Sequence, residues 1–203
     1  MNVALIGADG KVGTRVLAEL IRRDHIVTAI VRHPERVAVN SQVTIKQADA
    51  NDSEKISELF KGQDAIISTL TYKDIRLPDF VAAIRRSGVP RLLVVGNAGS
   101  LEAKPGILVV DSPHFPPEHT AQAIAHGELL KLLRAEPTLN WTVLSPPLRF
   151  EAGERTGRFR LGKDQLLIDD NGQSKISFED LAVALVNELE NPLHPRQRFT
   201  IAY

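Results

Sequence analysis

The stretch Val3-Ala4-Leu5-Ile6-Gly7-Ala8-Asp9-Gly10-Lys11-Val12-Gly13 decides the fold. Four apolar residues run straight into glycines spaced Gly-x-x-Gly-x-x-Gly. Beyond them Val12, Val16, Leu17, Leu20 and Ile21 recur at helical spacing on one face. The order is strand, glycine turn, helix, the setting in which a dinucleotide fingerprint has meaning. Gly7 lets the chain turn sharply, Gly10 lets a pyrophosphate approach the backbone, and Gly13 lets the helix seat closely on the strand. The helix start offers free N–H groups and a partial positive charge. A purely structural turn also uses glycine, but the flanking strand and helix favour binding. Asp9 suits a helix cap, yet it sets a negative charge beside any phosphate, with Lys11 to offset it. Gly7, Asp9, Gly10, Lys11, Val12 and Gly13 are thus the expected cofactor loop.

The remaining composition narrows the class. The 203 residues suit one domain with a sizeable core, and hydrophobic and charged contents of 43% and 25% are ordinary for a globular chain. With 25 basic and 25 acidic residues the net charge is zero, which gives a nucleic-acid partner no electrostatic support. The absence of cysteine excludes disulfides, thiol catalysis and Cys-ligated metal, and is compatible with a reducing cytoplasm, the expected location. The N-terminal apolar run reads as a core strand rather than a signal, and no run approaches the roughly 20 residues of a membrane span.

Further strands are predicted at 26–31, 43–48, 64–69, 91–95, 141–144 and 198–201, with helices at 78–87, from about 118 to 134, and from Ser177 to about Glu190. Another helix starts at Asp52 or Ser53. The alternation implies right-handed crossovers and a parallel sheet. The expected fold is a Rossmann-type, doubly wound α/β sheet with helices on both faces, as a single domain over 1–203. Residues 145–177 form a small substrate-side lobe, with a hairpin of 166–168 and 174–176 turning near Asn171-Gly172. Residues 102–117, rich in proline, read as an irregular loop over the active-site mouth.

Ligands in such sheets sit beyond the carboxyl ends of the strands, at the switch point. Arg32 follows the second strand where NAD-specific proteins hold an acidic residue for the ribose. With Arg36 it suits the 2′-phosphate of NADP, so NADPH is the expected cofactor and NAD the alternative; solvated surface charges are the competing reading. Thr69 and Leu70 leave the fourth strand towards the phosphates. Gly96 and Asn97, followed by further small residues, let a ring lie against the backbone. Pro146 and Pro147 can wall a ring without offering it N–H donors.

At this point the chain resembles the atypical short-chain dehydrogenase/reductases, in particular the NAD(P)H–flavin reductases near the NmrA-like and biliverdin reductase B proteins. The resembling residues are Gly7 to Gly13, Val31-Arg32-His33-Pro34, Trp141 to Pro146, Gly153-Glu154-Arg155-Thr156-Gly157, Ile176 to Asp180 and Arg198-Phe199-Thr200. The resemblance implies a Rossmann fold, NADP binding and reduction of a flavin-like or other planar acceptor. It also implies that Asp49 meets the adenine amino group and that Ala50 packs on the ring; an Asx-capped turn is the alternative.

The Tyr-x-x-x-Lys pair of ordinary short-chain dehydrogenases is absent, since Tyr72 is followed four residues on by Arg76 and Tyr203 is the last residue. Carbonyl reduction needs a placed proton donor, so hydride transfer to a flavin, which can take its proton from water, is favoured. A non-catalytic NADP-sensing protein of the NmrA-like type is the alternative. Ser100, His126 and Tyr72 are the candidate proton donors, and Arg155, Pro147 and Tyr72 the candidate acceptor contacts. His119 and His126 share a helix face, and exposed surface histidine is the favoured reading of both. The histidine spacing matches no metal motif, and no metal is expected. The expected partners are a small planar acceptor and neither nucleic acid nor membrane, with the chain a monomer or homodimer.

Overall fold

A computed structural model describes all of residues 1–203. Twelve strands occur in chain order: β1 Asn2–Ile6, β2 Ile26–Val31, β3 Val43–Gln47, β4 Ala65–Ser68, β5 Arg91–Val95, β6 Glu102–Lys104, β7 Ile107–Leu108, β8 Asn140–Ser145, β9 Arg149–Glu151, β10 Arg160–Gly162, β11 Lys175–Ser177 and β12 Gln197–Ala202. The helices are α1 Lys11–Arg22, α2 Ser53–Phe60, α3 Leu77–Ser87, α4 Pro117–Ala135 and α5 Phe178–Glu190. The main sheet has eight strands in the order β10-β12-β8-β5-β4-β1-β2-β3. All its pairings are parallel except that of β10 with β12. The fold is therefore Rossmann-like, with the strand order reversing between β1 and β4.

The apolar pattern explains the layers. β1 is buried on both faces, so alternate residues enter different cores. Val3 and Leu5 join Val16, Leu20, Leu181 and Leu185 beneath α1 and α5. Ala4 and Ile6 join Ile56, Phe60, Ile84 and Leu129 beneath α2, α3 and α4. Local chemistry sets the helix ends. Asp52 caps α2 by accepting from Lys55 N at 3.1 Å, and Ser177 caps α5 by accepting from Asp180 N at 3.0 Å. Gly88 ends α3 in the left-handed region at φ 74°.

Two expectations are corrected. The 102–117 segment is not irregular: β6 and β7 form a small hairpin around Gly106, and Val109–Asp111 makes a 3-10 turn. The hairpin expected over 166–176 keeps only its turn, where Gly172 N donates to Asp169 O at 2.9 Å. Its second arm, β11, instead pairs in parallel with β9, because Ile176 is buried against the α1–α5 core. Leu166 N donates to Glu102 O, which joins the first arm to the β6 hairpin.

The segment Gly153 to Gly157 clasps the lobe to the helices. Ser177 Oγ donates to Glu154 O at 2.7 Å, and Gly153 N donates to Glu179 at 2.8 Å. Asp180, fully buried, accepts from Thr156 Oγ1, Gly157 N and the Tyr203 hydroxyl at 2.6, 2.7 and 2.8 Å. Arg155 grips the buried Glu19 of α1 through Nε and Nη2, both at 2.8 Å. Burial alone would push the Glu19 carboxyl up, but the bonds from Arg155 and Arg23 outweigh it and hold it below its ordinary range. Arg155→Ala leaves that buried carboxylate to Arg23 and the more distant Arg22, and is expected to cost about 1–3 kcal/mol in urea unfolding.

Candidate functional site

The site begins at the glycine turn. Gly7 sits at φ +88°, and a β-carbon there would lie 2.7 Å from Thr69 Oγ1. That hydroxyl donates to the Gly7 carbonyl at 3.0 Å. A β-carbon on Gly13 would lie 2.0 Å from the same carbonyl oxygen, so α1 is seated as close to the turn as backbone allows. Gly10 differs: it is exposed, its φ is an ordinary −77°, and its nearest clash would be at 3.3 Å. Asp9 does not cap the helix as expected, because α1 begins one residue later and Gly10 occupies the cap position. No side chain caps α1 and its first turn holds no acidic residue. The N–H groups of Lys11, Val12 and Gly13 therefore find no acceptor in the protein. A row of free N–H groups beside an open backbone fits a dinucleotide diphosphate.

Two cavities meet on this turn. The smaller, of about 220 Å³, is lined by Gly7, Asp9, Gly10, Arg32, Asp49, Ala50 and Tyr72. The larger, of about 900 Å³, is lined by Gly10, Lys11, Val12, Gly96, Asn97, Pro146 and Pro147. Gly10, Thr69, Leu70 and Thr71 border both, so the two form one trough across the carboxyl ends of β1, β4 and β5. The structure thus gathers most of the residues expected around a cofactor. Gly13 lies beneath the turn, and Arg36 is exposed in a 3-10 turn outside the trough. Gly96 has a packing reason: a β-carbon would meet Ser145 Oγ at 2.8 Å.

Several expected roles are corrected. Arg155 lies outside both cavities, held by Glu19, and so is no acceptor contact. Ser100 also lies outside them, with its hydroxyl donating to Asn97 O at 3.2 Å and accepting from Arg198 at 3.1 Å. Tyr72 borders the smaller cavity rather than the acceptor side, is 1% exposed, and donates its hydroxyl to Ser68 Oγ. Burial pushes its phenol well above the ordinary value, which removes it as an acid.

His126 is buried, not the exposed surface histidine expected on this helix face. It lines the larger cavity, is 5% exposed, and stands edge-on to the Tyr72 ring at 5.0 Å. Neither ring nitrogen has a hydrogen-bond partner. Burial pushes its pKa down to about 4, so the ring is neutral at neutral pH.

The sequence reading missed the aromatic walls. Phe115, Phe150 and Phe178 line the larger cavity, and the last two pack edge to face at 4.5 Å. Phe115 and Pro116 come from the 102–117 segment, which does border the cleft.

Comparison with known proteins gives the same picture. The profile of a family described as NAD(P)H-binding matches residues 7–192. The uncharacterized protein YwnB of Bacillus subtilis (strain 168) is 38% identical, covering 99% of this chain and 98% of its own length. A candidate epimerase from Bacteroides thetaiotaomicron superposes with a TM-score of 0.94 at 40% identity, covering 100% of this chain and 96% of its own. A candidate NADH-flavin reductase from Streptococcus pneumoniae TIGR4 superposes with a TM-score of 0.85 at 34% identity, covering 100% and 99%. The names attached to these relatives disagree about chemistry, so the reaction has to be argued from the cleft.

Gly10→Val is expected to lower NADPH affinity at least tenfold in a fluorescence titration while the melting of the free protein stays near wild type, whereas Gly13→Val cannot seat α1 and loses the fold. The depressed His126 pKa makes stability fall as pH drops below about 6.5, where the unfolded histidine takes a proton that the buried one refuses, with the loss complete near pH 4. His126→Leu should therefore remove about 2–3 kcal/mol of acid-side destabilisation, read from unfolding at a series of pH values.

Proposed function

The chain belongs to the NAD(P)H-binding family of atypical short-chain dehydrogenase/reductases, and on that premise we propose that it is an NADPH-dependent reductase of a planar, flavin-like acceptor. The observation that carries this reading is the joining of the glycine-turn trough to a cleft with apolar and aromatic walls, whose inner end holds only the buried, neutral His126. NADPH, when bound, supplies a hydride with its two electrons, and the proton that completes reduction of the acceptor comes from water. The chain's own task is to align two rings and keep water from between them.

Pro146, Pro147, Phe115 and Phe150 are suited to that task, because they offer flat apolar surface and few donors. Carbonyl reduction would need a donor at the developing alkoxide. Tyr72 is buried away from the acceptor side, His126 is neutral, and His114 and His119 are exposed at the mouth rather than at the inner end, which argues against that chemistry. The name of the S. pneumoniae relative supports a flavin as acceptor. That name gives NADH as the donor, whereas Arg32 supports NADPH here. It borders the smaller cavity, is exposed and makes no ion pair, so its guanidinium is free for a 2′-phosphate. The lack of a placed acid also suits a non-catalytic NADP-sensing protein.

Incubation with NADPH and FMN, FAD, riboflavin or biliverdin tests the reading: acceptor-dependent oxidation is expected, and none above background despite NADPH binding would leave the sensing role. Arg32→Asp should raise the NADPH Kd about tenfold or more and spare NADH, and equal wild-type affinities for the two would remove the argument for NADP.

A further inference from the structure

The charge of the larger cleft is one-sided. Its ionisable lining residues are Lys11, His114, His119 and His126, with no Asp, Glu or Arg among them. The whole chain, by contrast, carries 25 acidic residues against 25 Lys and Arg. Position separates these four. His126 is buried at the inner end, whereas Lys11, His114 and His119 are exposed and so mark the mouth. The ion-paired histidines of the chain are His25, His33 and His194, which leaves His114 and His119 free. The nearest carboxylates in sequence, Asp111 and Glu118, are exposed and border neither cavity. Between the two histidines, Phe115 and Pro116 continue the apolar wall up to the mouth.

A planar acceptor lying against those walls can extend a substituent outward past His114 and His119, the exposed histidines of the lining. We propose that the acceptor of this cleft carries an anionic tail, of the phosphate-monoester kind, held at the mouth by His114 and His119 with Lys11 adjoining. The proposal rests on the reductase reading for the identity of the pocket. It moves tail recognition away from Arg155, whose guanidinium is committed to Glu19. Two imidazoles beside an ammonium present several N–H donors that can grip a dianion, and salt weakens that grip.

Binding tests this without requiring turnover. Flavin fluorescence is titrated at low salt with protein preloaded with NADP. FMN and riboflavin differ only in the tail phosphate. Wild type is expected to bind FMN about tenfold more tightly than riboflavin, with the preference shrinking in about 0.5 M salt. The double variant His114→Gln, His119→Gln should lose most of that preference, and each single variant part of it. Equal affinity of wild type for the two flavins overturns the proposal. So does a double variant that keeps the full preference, or one whose main loss is in NADPH affinity, because the histidines would then serve the cofactor. Preferential FMN binding without NADPH oxidation would sustain the anion site while sinking the reductase reading, so the two failures are distinguishable.

Discussion

The contact on which the rest depends is the seating of α1 against the turn that leaves β1, where Gly13 leaves no space for a β-carbon beside the Gly7 carbonyl. At a more ordinary distance the helix would pull its first turn away from the sheet edge. At this distance Gly10 borders both cavities, and Lys11 and Val12, whose N–H groups are free, border the larger one. The same seating buries one face of α1, so Val16 and Leu20 reach the core with α5, and Glu19 is carried inside. Cofactor cradle and helix packing are one geometric event, and glycine is the residue that permits both.

Glu19 then becomes the point where the C-terminal lobe is attached. A carboxylate that is 4% exposed needs cations, and it has Arg22 and Arg23 at the end of its own helix and Arg155 from the lobe. Asp180 does the same for Thr156, Gly157 and Tyr203 from the start of α5. At the opposite end of the sheet the buried Glu188 accepts from Arg91 at 3.0 Å and from the backbone N–H of His194 at 2.9 Å. These carboxylates fix how the late segments lie on the earlier core. The lobe therefore presents Phe150 to the cleft from a tethered position, and Phe178 heads a capped helix.

The cleft that results is made for positioning more than for acid–base chemistry. Its inner end holds a histidine that burial keeps neutral, its walls are proline and phenylalanine, and its basic groups stand at the mouth. Such a site can press two flat rings together and exclude water, and it can choose among acceptors by what extends past its rim.

How much of this was written in the sequence depends on the range of the interactions involved. Strand positions, the glycine turn, the helix start at Ser177 and the doubly wound order were legible because each follows from local periodicity or from residues a few positions apart. So was the grouping of Gly10, Thr69, Gly96 and Pro146, since parallel strands bring their carboxyl ends to one edge. The partners of Arg155, Ile176 and His126 were not legible. Arg155 is a candidate acceptor contact when read along the chain, but Glu19 lies 136 positions away and only the fold brings it close. Ile176 leaves its expected hairpin because the core beside α1 and α5 offers it more burial than a local partner does. His126 turns inward because Tyr72 and the α4 packing form a pocket for it, and neither can be seen along the helix alone. Sequence determined what depends on spacing along one chain segment; tertiary structure decided which side chains are taken out of water together, and with them the charge, burial and chemistry of the cleft.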